Sequence, residues 1–298
     1  MSENSGIRFM LKALIRDKAG LLGLIIVSLF LLWSLIQGIL EILSSYLRKQ
    51  YLGYILLPHN PYQYNLQLAF HPPSSTFLLG TNAEGEDIFS RILYALPRDA
   101  FVAIVVVFSA IIIGGILGIL AGYLGGIIDE ILMRVTDAFL SLPALILVIA
   151  ITVPLKATFL ATILGLAIVW WPTYARFYRA QTLRIKNMDY ISAAKLSGVS
   201  RISLFYRYIF LNSVDPVLAY AALDFGNVIL TYSTLAFLGI GITPPIPELG
   251  EMAANGVTGL PQYWWWALFP GLTILIIVIG FVLLGDRLQD VVAGRITY

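Results

Sequence analysis

The chain has 298 residues, of which 59% are hydrophobic and only 12% charged, with a net charge of +2 and a mean hydropathy of +0.85. Soluble domains carry roughly a quarter charged residues, so the composition excludes one and identifies an integral membrane protein. The small net charge leaves no footprint for nucleic acid, and the lack of cysteine excludes disulfides, thiol nucleophiles and thiolate metal sites.

Residues 1–18 hold Arg8, Lys12, Arg16 and Lys18 ahead of an apolar run at 19–40. About 20 such residues cross the hydrocarbon core, whereas a secretory signal has a shorter apolar run and a small-residue cleavage site. The expectation is a cytoplasmic N-terminus followed by a retained first transmembrane helix. Residues 41–96 are less apolar and contain Pro58, Pro61, Pro72 and Pro73 with both histidines, His59 and His71. The prolines exclude a long helix and favour a small, irregular extracytoplasmic insertion. The histidines lack further ligands at metal-binding spacing and receive no role.

Residues 97–298 form the expected core, with five more transmembrane helices. In the second span, 101–123, Gly114, Gly118 and Gly122 share one helix face and invite close packing. A short mixed patch, Asp129, Glu130, Arg134 and Asp137, should lie inside. A third span over 138–153 has Pro143 near its start, and a fourth over 159–171 ends in Trp170 and Trp171, which suit an interfacial aromatic belt. The fifth and sixth, 216–241 and 266–285, are joined by a Pro- and Gly-rich segment holding Glu248 and Glu251 but no Lys or Arg. With six spans and both termini cytoplasmic, 14 of the 19 Lys/Arg fall inside, in the sense of the positive-inside rule.

The stretch 176–212 carries seven Lys/Arg against one acid, Asp189. Within it, 189–196 can form a short amphipathic helix with Tyr190, Ala193 and Ala194 on overlapping faces and Lys186 and Lys195 solvated. Gly198 suits the left-handed end of that helix, and Ser200 can cap a following helix over 201–212. By pattern alone this unit is either a docking element or a connector held by anionic lipids. Arg201 and Arg207 suit the positive-inside rule as anchors. Asp224 falls well inside the fifth span, where an unpaired charge costs ~2.5–3.5 kcal/mol on insertion scales. Asn227, Thr231 and Thr234 follow it at helical spacing. The stripe either lines a translocation path or makes interhelical hydrogen bonds.

No GxxxxGK[ST], HExxH or GxSxG motif is present, so the chain is expected to be neither an ATPase nor a hydrolase. The order WPTYARFYRAQTLRIKNMDYISAAKLSG, then RYIFLN, then DP, resembles the EAA-loop region of inner-membrane permease subunits of ATP-binding cassette importers, dipeptide/oligopeptide/nickel branch, the partner type with the shorter insertion. LLGTNAEGEDIFSRILY, LAFLGIGITPPIP and PGLTILIIVIGFVLLGDRLQD extend the resemblance over about residues 77–290. The chain departs from the pattern at Ser192, where Glu is usual, at Tyr208 and Leu211 in the RHxLPN element, at Asn82 and Glu86 in the GTD and GRD elements, and at Val282. No aspartate–proline follows Asp290.

The resemblance implies an all-α membrane protein of the type I importer permease fold in a prokaryotic inner membrane. Its implied partners are a homologous second permease, two ATP-binding subunits and an extracytoplasmic solute-binding protein. No cofactor is expected on this chain; ATP and Mg would sit on the partner subunits. Coupling would fall to Asp189, Tyr190, Ser192, Ala193, Ala194, Gly198, Arg201 and Arg207, and the path to Asp224, Asn227, Thr231 and Thr234. Peptides are the expected cargo, with oligosaccharides or nickel as alternatives. A stand-alone secondary carrier or channel is the competing class; it would need charged pairs in several spans, where only Asp224 qualifies.

Overall fold

The computed structural model describes residues 13–200 and 203–293. Among them every regular element is helical, and β pairing is confined to the isolated bridges Thr81–Asp87 and Thr158–Gly241. Helix α1 (Lys18–Leu47) starts where the Asp17 carboxylate accepts from Gly20 N at 2.7 Å, and Asp17 also pairs with Arg287 at 2.9 Å. The helix outruns the expected 19–40 because no proline or glycine interrupts 41–47.

Helix α2 (Ile88–Leu124), 37 residues, is about 55 Å long and begins well before the expected span. Asp87 caps it by accepting from Ser90 N at 3.0 Å. Pro97 lies inside the helix and deprives the Leu93 carbonyl of its helical donor. Trp33 Nε1 of α1 takes that carbonyl at 2.8 Å, so a side chain from a neighbouring helix repairs the ladder. One consequence is that Asp99, expected outside a span, is fully buried on α2.

Helix α3 (Gly126–Leu140) and helix α4 (Ala144–Thr152) replace the expected continuous span over 138–153, and their axes differ by 88°. Pro143 has no N–H to donate and disfavours helical geometry at Leu142, which breaks the chain there. Helix α5 (Phe159–Lys186) packs on the glycine face of α2. A Cβ at Gly114 would come within 2.6 Å of Trp171 O, and one at Gly122 within 2.8 Å of Thr182 Cβ. The packing role read for those glycines is therefore met by α5.

Helix α5 continues to Lys186, so the basic stretch begins inside a helix rather than in a loop. It is followed by α6 (Asp189–Leu196), a wide π-type turn (Leu204–Phe210), α7 (Leu211–Phe237), α8 (Leu249–Val257) and α9 (Trp264–Val292). The α8 helix was not expected; Glu248 caps it by accepting from Glu251 N at 2.7 Å. By length and apolarity α1, α2, α5 and α9 can each cross a membrane, and the bent α3–α4 pair would be a fifth crossing. Helix α7 has the length, 27 residues, but carries Asp224, Asn227, Thr231 and Thr234 along it.

Between α1 and α2 the chain has only the short 3-10 turns Gln50–Tyr54 and Leu66–Leu68. Tyr54, Tyr62 and Tyr94 pack there with ring centroids 5.5 to 6.1 Å apart. Buried Arg91 pairs with Glu86 at 2.5 Å and donates to the carbonyls of Pro61 at 3.0 Å and Pro245 at 3.3 Å. This ties the insertion to the α7–α8 connection. The departures at Asn82 and Glu86 touch each other: Asn82 Nδ2 donates to Glu86 Oε2 at 2.7 Å, and Glu86 N donates to Asn82 Oδ1 at 2.8 Å. Burial pushes the Glu86 carboxyl above its ordinary range, and the Arg91 charge opposes the shift. His59 Nδ1 lies 3.3 Å from Asp87, and His71 Nδ1 lies 2.9 Å from Pro72 O.

Candidate functional site

Helix α6 spans the residues expected for it, and its Schellman ending is set by Gly198. Val199 N donates to Ala194 O and Gly198 N to Lys195 O, both at 3.1 Å, with Gly198 at φ +78°. That pairing needs a left-handed residue, which glycine supplies without steric cost. No atom lies within 4 Å of where a Gly198 Cβ would sit, so the constraint is conformational. Ser200 Oγ then accepts from Ser203 N at 3.3 Å.

Ile191 and Ala194 bury α6 against its own chain, and Asp189, Tyr190, Ser192, Ala193 and Lys195 are exposed. Ala194 therefore supports the helix from behind and does not share the outward face read for it. The outward apolar contribution comes from Ala193, Tyr190 and a residue the sequence reading passed over, Leu196, which is 90% exposed. Tyr190 stacks on Tyr208 with centroids 6.4 Å apart. Arg207 is exposed on the π-type turn, and Arg201 lies outside the described residues.

Lys186 was expected to be solvated. Its Nζ instead donates to Tyr123 O at 2.7 Å and Gly122 O at 3.4 Å, carbonyls at the end of α2 that a cation suits. Two arginines of the basic stretch are similarly engaged. Arg179 meets Asp129 through two hydrogen bonds of 2.5 and 2.7 Å, and Arg176 meets Asp137 at 2.6 Å. Both pairs join α5, which leads into α6, to α3, which leads into the break.

Beside that break lies a cavity of about 360 Å³ lined by residues of α3, α4, α5 and α7, among them Phe139, Trp170, Tyr220, Asp224, Asn227 and Thr231. Asp224 is 3% exposed. Trp170 Nε1 donates to its Oδ2 at 2.7 Å and Tyr174 OH to the same oxygen at 2.9 Å, while Asn227 Nδ2 reaches Oδ1 at 3.4 Å. Thr231 Oγ1 bonds back to Asn227 O at 2.8 Å. Thr234 bonds back to Leu230 O at 2.7 Å and is not among the cavity residues.

Trp170 and Trp171 do not stand at the end of a helix as an interfacial belt would require. Because α5 runs on to Lys186, both sit in mid-helix, Trp170 bonded to Asp224 and Trp171 buried. Nothing in the sequence paired Asp224 with donors 54 and 50 positions away; the available signal was only an acid among apolar residues and two polar aromatics in an apolar run.

Residues 114–298 match the family described as "Binding-protein-dependent transport system inner membrane component". The chain is 40% identical over 235 residues to the probable D,D-dipeptide transport system permease protein DdpC of Escherichia coli K12, covering 79% of each chain. It is 33% identical over 281 residues to the dipeptide transport system permease protein DppC of Haemophilus influenzae, covering 92% of this chain and 90% of that one. It is 36% identical over 221 residues to the glutathione transport system permease protein GsiD of Pectobacterium atrosepticum, covering 73% and 72%. The matched family, the all-helical build and the apolar helices lead to one conclusion: the chain belongs to the binding-protein-dependent transport system inner membrane components, as a multi-pass permease of an ATP-binding cassette importer in the branch that holds these relatives.

Proposed function

We propose that this permease forms half of the translocation path of an importer for short peptides and takes its motion from ATP-binding subunits through α6. The chain crosses the membrane six times with both termini inside, α7 being one crossing and the bent α3–α4 pair another. A homologous permease supplies the other half of the path, and an extracytoplasmic solute-binding protein delivers the cargo. ATP and Mg are held by two partner subunits, and this chain has no ATPase site of its own. Peptide cargo is supported by the relatives named for dipeptides and glutathione.

The observation that carries the coupling role is Leu196, 90% exposed at the end of a helix whose opposite face is anchored by Ile191 and Ala194. A bare leucine beside Tyr190 and Ala193, on a segment rich in cations, suits a cleft with apolar walls and an acidic rim. Asp189, Ser192 and Arg207 supply polar contacts to the partner subunit, Arg201 joins them by its place in the sequence, and Gly198 sets the angle at which the chain turns back. Asp224, Asn227 and Thr231 give the path its polar wall, with Thr234 further along α7.

The test is ATP-driven peptide uptake and ATP hydrolysis by the complete transporter in proteoliposomes. Gly198→Val forces a branched residue into a left-handed conformation costing about 1–2 kcal/mol, and should cut uptake about tenfold while leaving ATP hydrolysis by the assembled complex. Undiminished, ATP-dependent uptake in that variant, and in Leu196→Glu, would remove α6 from the coupling role.

A further inference from the structure

The cavity beside the break is asymmetric in its electrostatics. Among the described residues that line it, Asp224 is the one carboxylate, and no Lys, Arg or His shares the wall. Its Oδ2 takes both strong hydrogen bonds, from the neutral donors Trp170 and Tyr174. Its Oδ1 has only the long 3.4 Å contact with Asn227. Neutral donors orient a carboxylate and spread its charge without cancelling it, and an uncancelled charge in a low-dielectric site favours whatever cation can enter. The remaining walls include the rings of Phe139, Trp170 and Tyr220, whose faces also attract ammonium groups. A volume of about 360 Å³ is at the small end of small-molecule sites, roughly 300–1,000 Å³.

We propose that this cavity is a transit subsite for a cationic amino group of the cargo, with Asp224 as counter-charge and Trp170 and Tyr174 as positioning residues that hold the carboxylate toward the cavity. The proposal rests on the reading of α7 as part of the translocation path. It adds to that reading a chemical preference, for solutes entering with an ammonium group over neutral or anionic ones.

The lack of cysteine in this chain allows a test that needs no transport. Thr173→Cys and Ala144→Cys each place a thiol on the cavity wall, and Leu155→Cys places one outside it. In membranes containing the complete transporter, each thiol is modified with trimethylammonium-ethyl or sulfonato-ethyl methanethiosulfonate, labelling being read as the mass of this chain. The cation-to-anion rate ratio, normalised to a free thiol, should be at least about fivefold higher at the cavity positions than at Leu155→Cys. Adding Asp224→Asn should abolish that excess, and Asp224→Glu should keep it. Equal ratios at cavity and control positions overturn the proposal, even if Asp224→Asn fails to assemble; so does an excess that survives Asp224→Asn. Uptake of alanyl-alanine, a zwitterion whose amino end is an ammonium, should then fall at least about fivefold in Asp224→Asn and recover in Asp224→Glu. A parent transporter that takes up no peptide counts against the peptide reading above, separately from the labelling ratio.

Discussion

Glu248 is wholly buried at the N-terminus of α8, with one carboxyl oxygen accepting from Glu251 N and the other without a partner. Burial pushes its pKa up from 4.5 to about 7; the N–H groups of Glu251 and Gly250 pull it down, and the Glu251 charge raises it again. Asp99 and Tyr232, also fully buried, lie close enough to feel its charge. Because the folded state holds this proton more tightly than the unfolded chain, the stability it contributes is complete below about pH 4.5 and is lost as pH rises to about 7. Glu248→Gln keeps the cap and removes the buried charge. Its melting temperature should exceed that of the parent by a few degrees at pH 8 and converge with it near pH 4.5. A lower melting temperature at pH 8 would show that the charge is needed there. The sequence marked Glu248 only as an outside acid, because nothing local announces that α8 folds back against α7 and against α2, whose Asp99 lies far away in the chain. Asp224 was more legible, since an acid within an apolar run is anomalous wherever its partners come from.

At the scale of elements, the α3–α5 contact carries two ion pairs of different character. Arg176–Asp137 has side chains 54% and 63% exposed, whereas Arg179–Asp129 is 33% and 18% exposed and bonded twice. Exposed pairs contribute little, so the Arg179–Asp129 pair should dominate. A double-mutant cycle of Asp129→Asn and Arg179→Gln on thermal stability should give a coupling of about 1 kcal/mol, against about zero for Asp137→Asn with Arg176→Gln. Equal couplings would remove the distinction. The patch holding Asp129 and Asp137 looked uninformative in sequence because its meaning depends on which helix it faces. The bounds of helix α6 were legible to the residue, since a left-handed glycine and a short amphipathic run are local signals. The ends of α2 and α5 were not. Charge and proline suggested a boundary near Leu96, yet Trp33 supplied the bond that let α2 continue through Pro97.

At the scale of the molecule, large apolar side chains such as Leu22, Ile25, Leu29, Leu32 and Leu35 stand exposed along α1, as suits a surface covered by lipid or by a second membrane subunit. The six-crossing arrangement predicts that 41–96 is outside and α6 inside. With no native cysteine, Leu66→Cys should react with a membrane-impermeant maleimide in intact spheroplasts, and Lys195→Cys only after permeabilisation. Labelling in the reverse order would invert the topology.

Membrane class, family, the basic stretch with its short helix and Gly198 turn, and an acid out of place in an apolar span are all readable from residue identity and order. Composition, hydropathy and capping act through a residue's own identity and its near neighbours, so they survive in a linear reading. Packing alone makes the third expected span a helix pair bent by 88°, brings Trp170 and Tyr174 to Asp224 and Arg179 to Asp129, and turns Leu196 rather than Ala194 outward. Those outcomes depend on which distant groups satisfy a buried carbonyl or charge. That requirement is imposed by desolvation in the packed bundle, and the partners that meet it lie dozens of residues away in the chain.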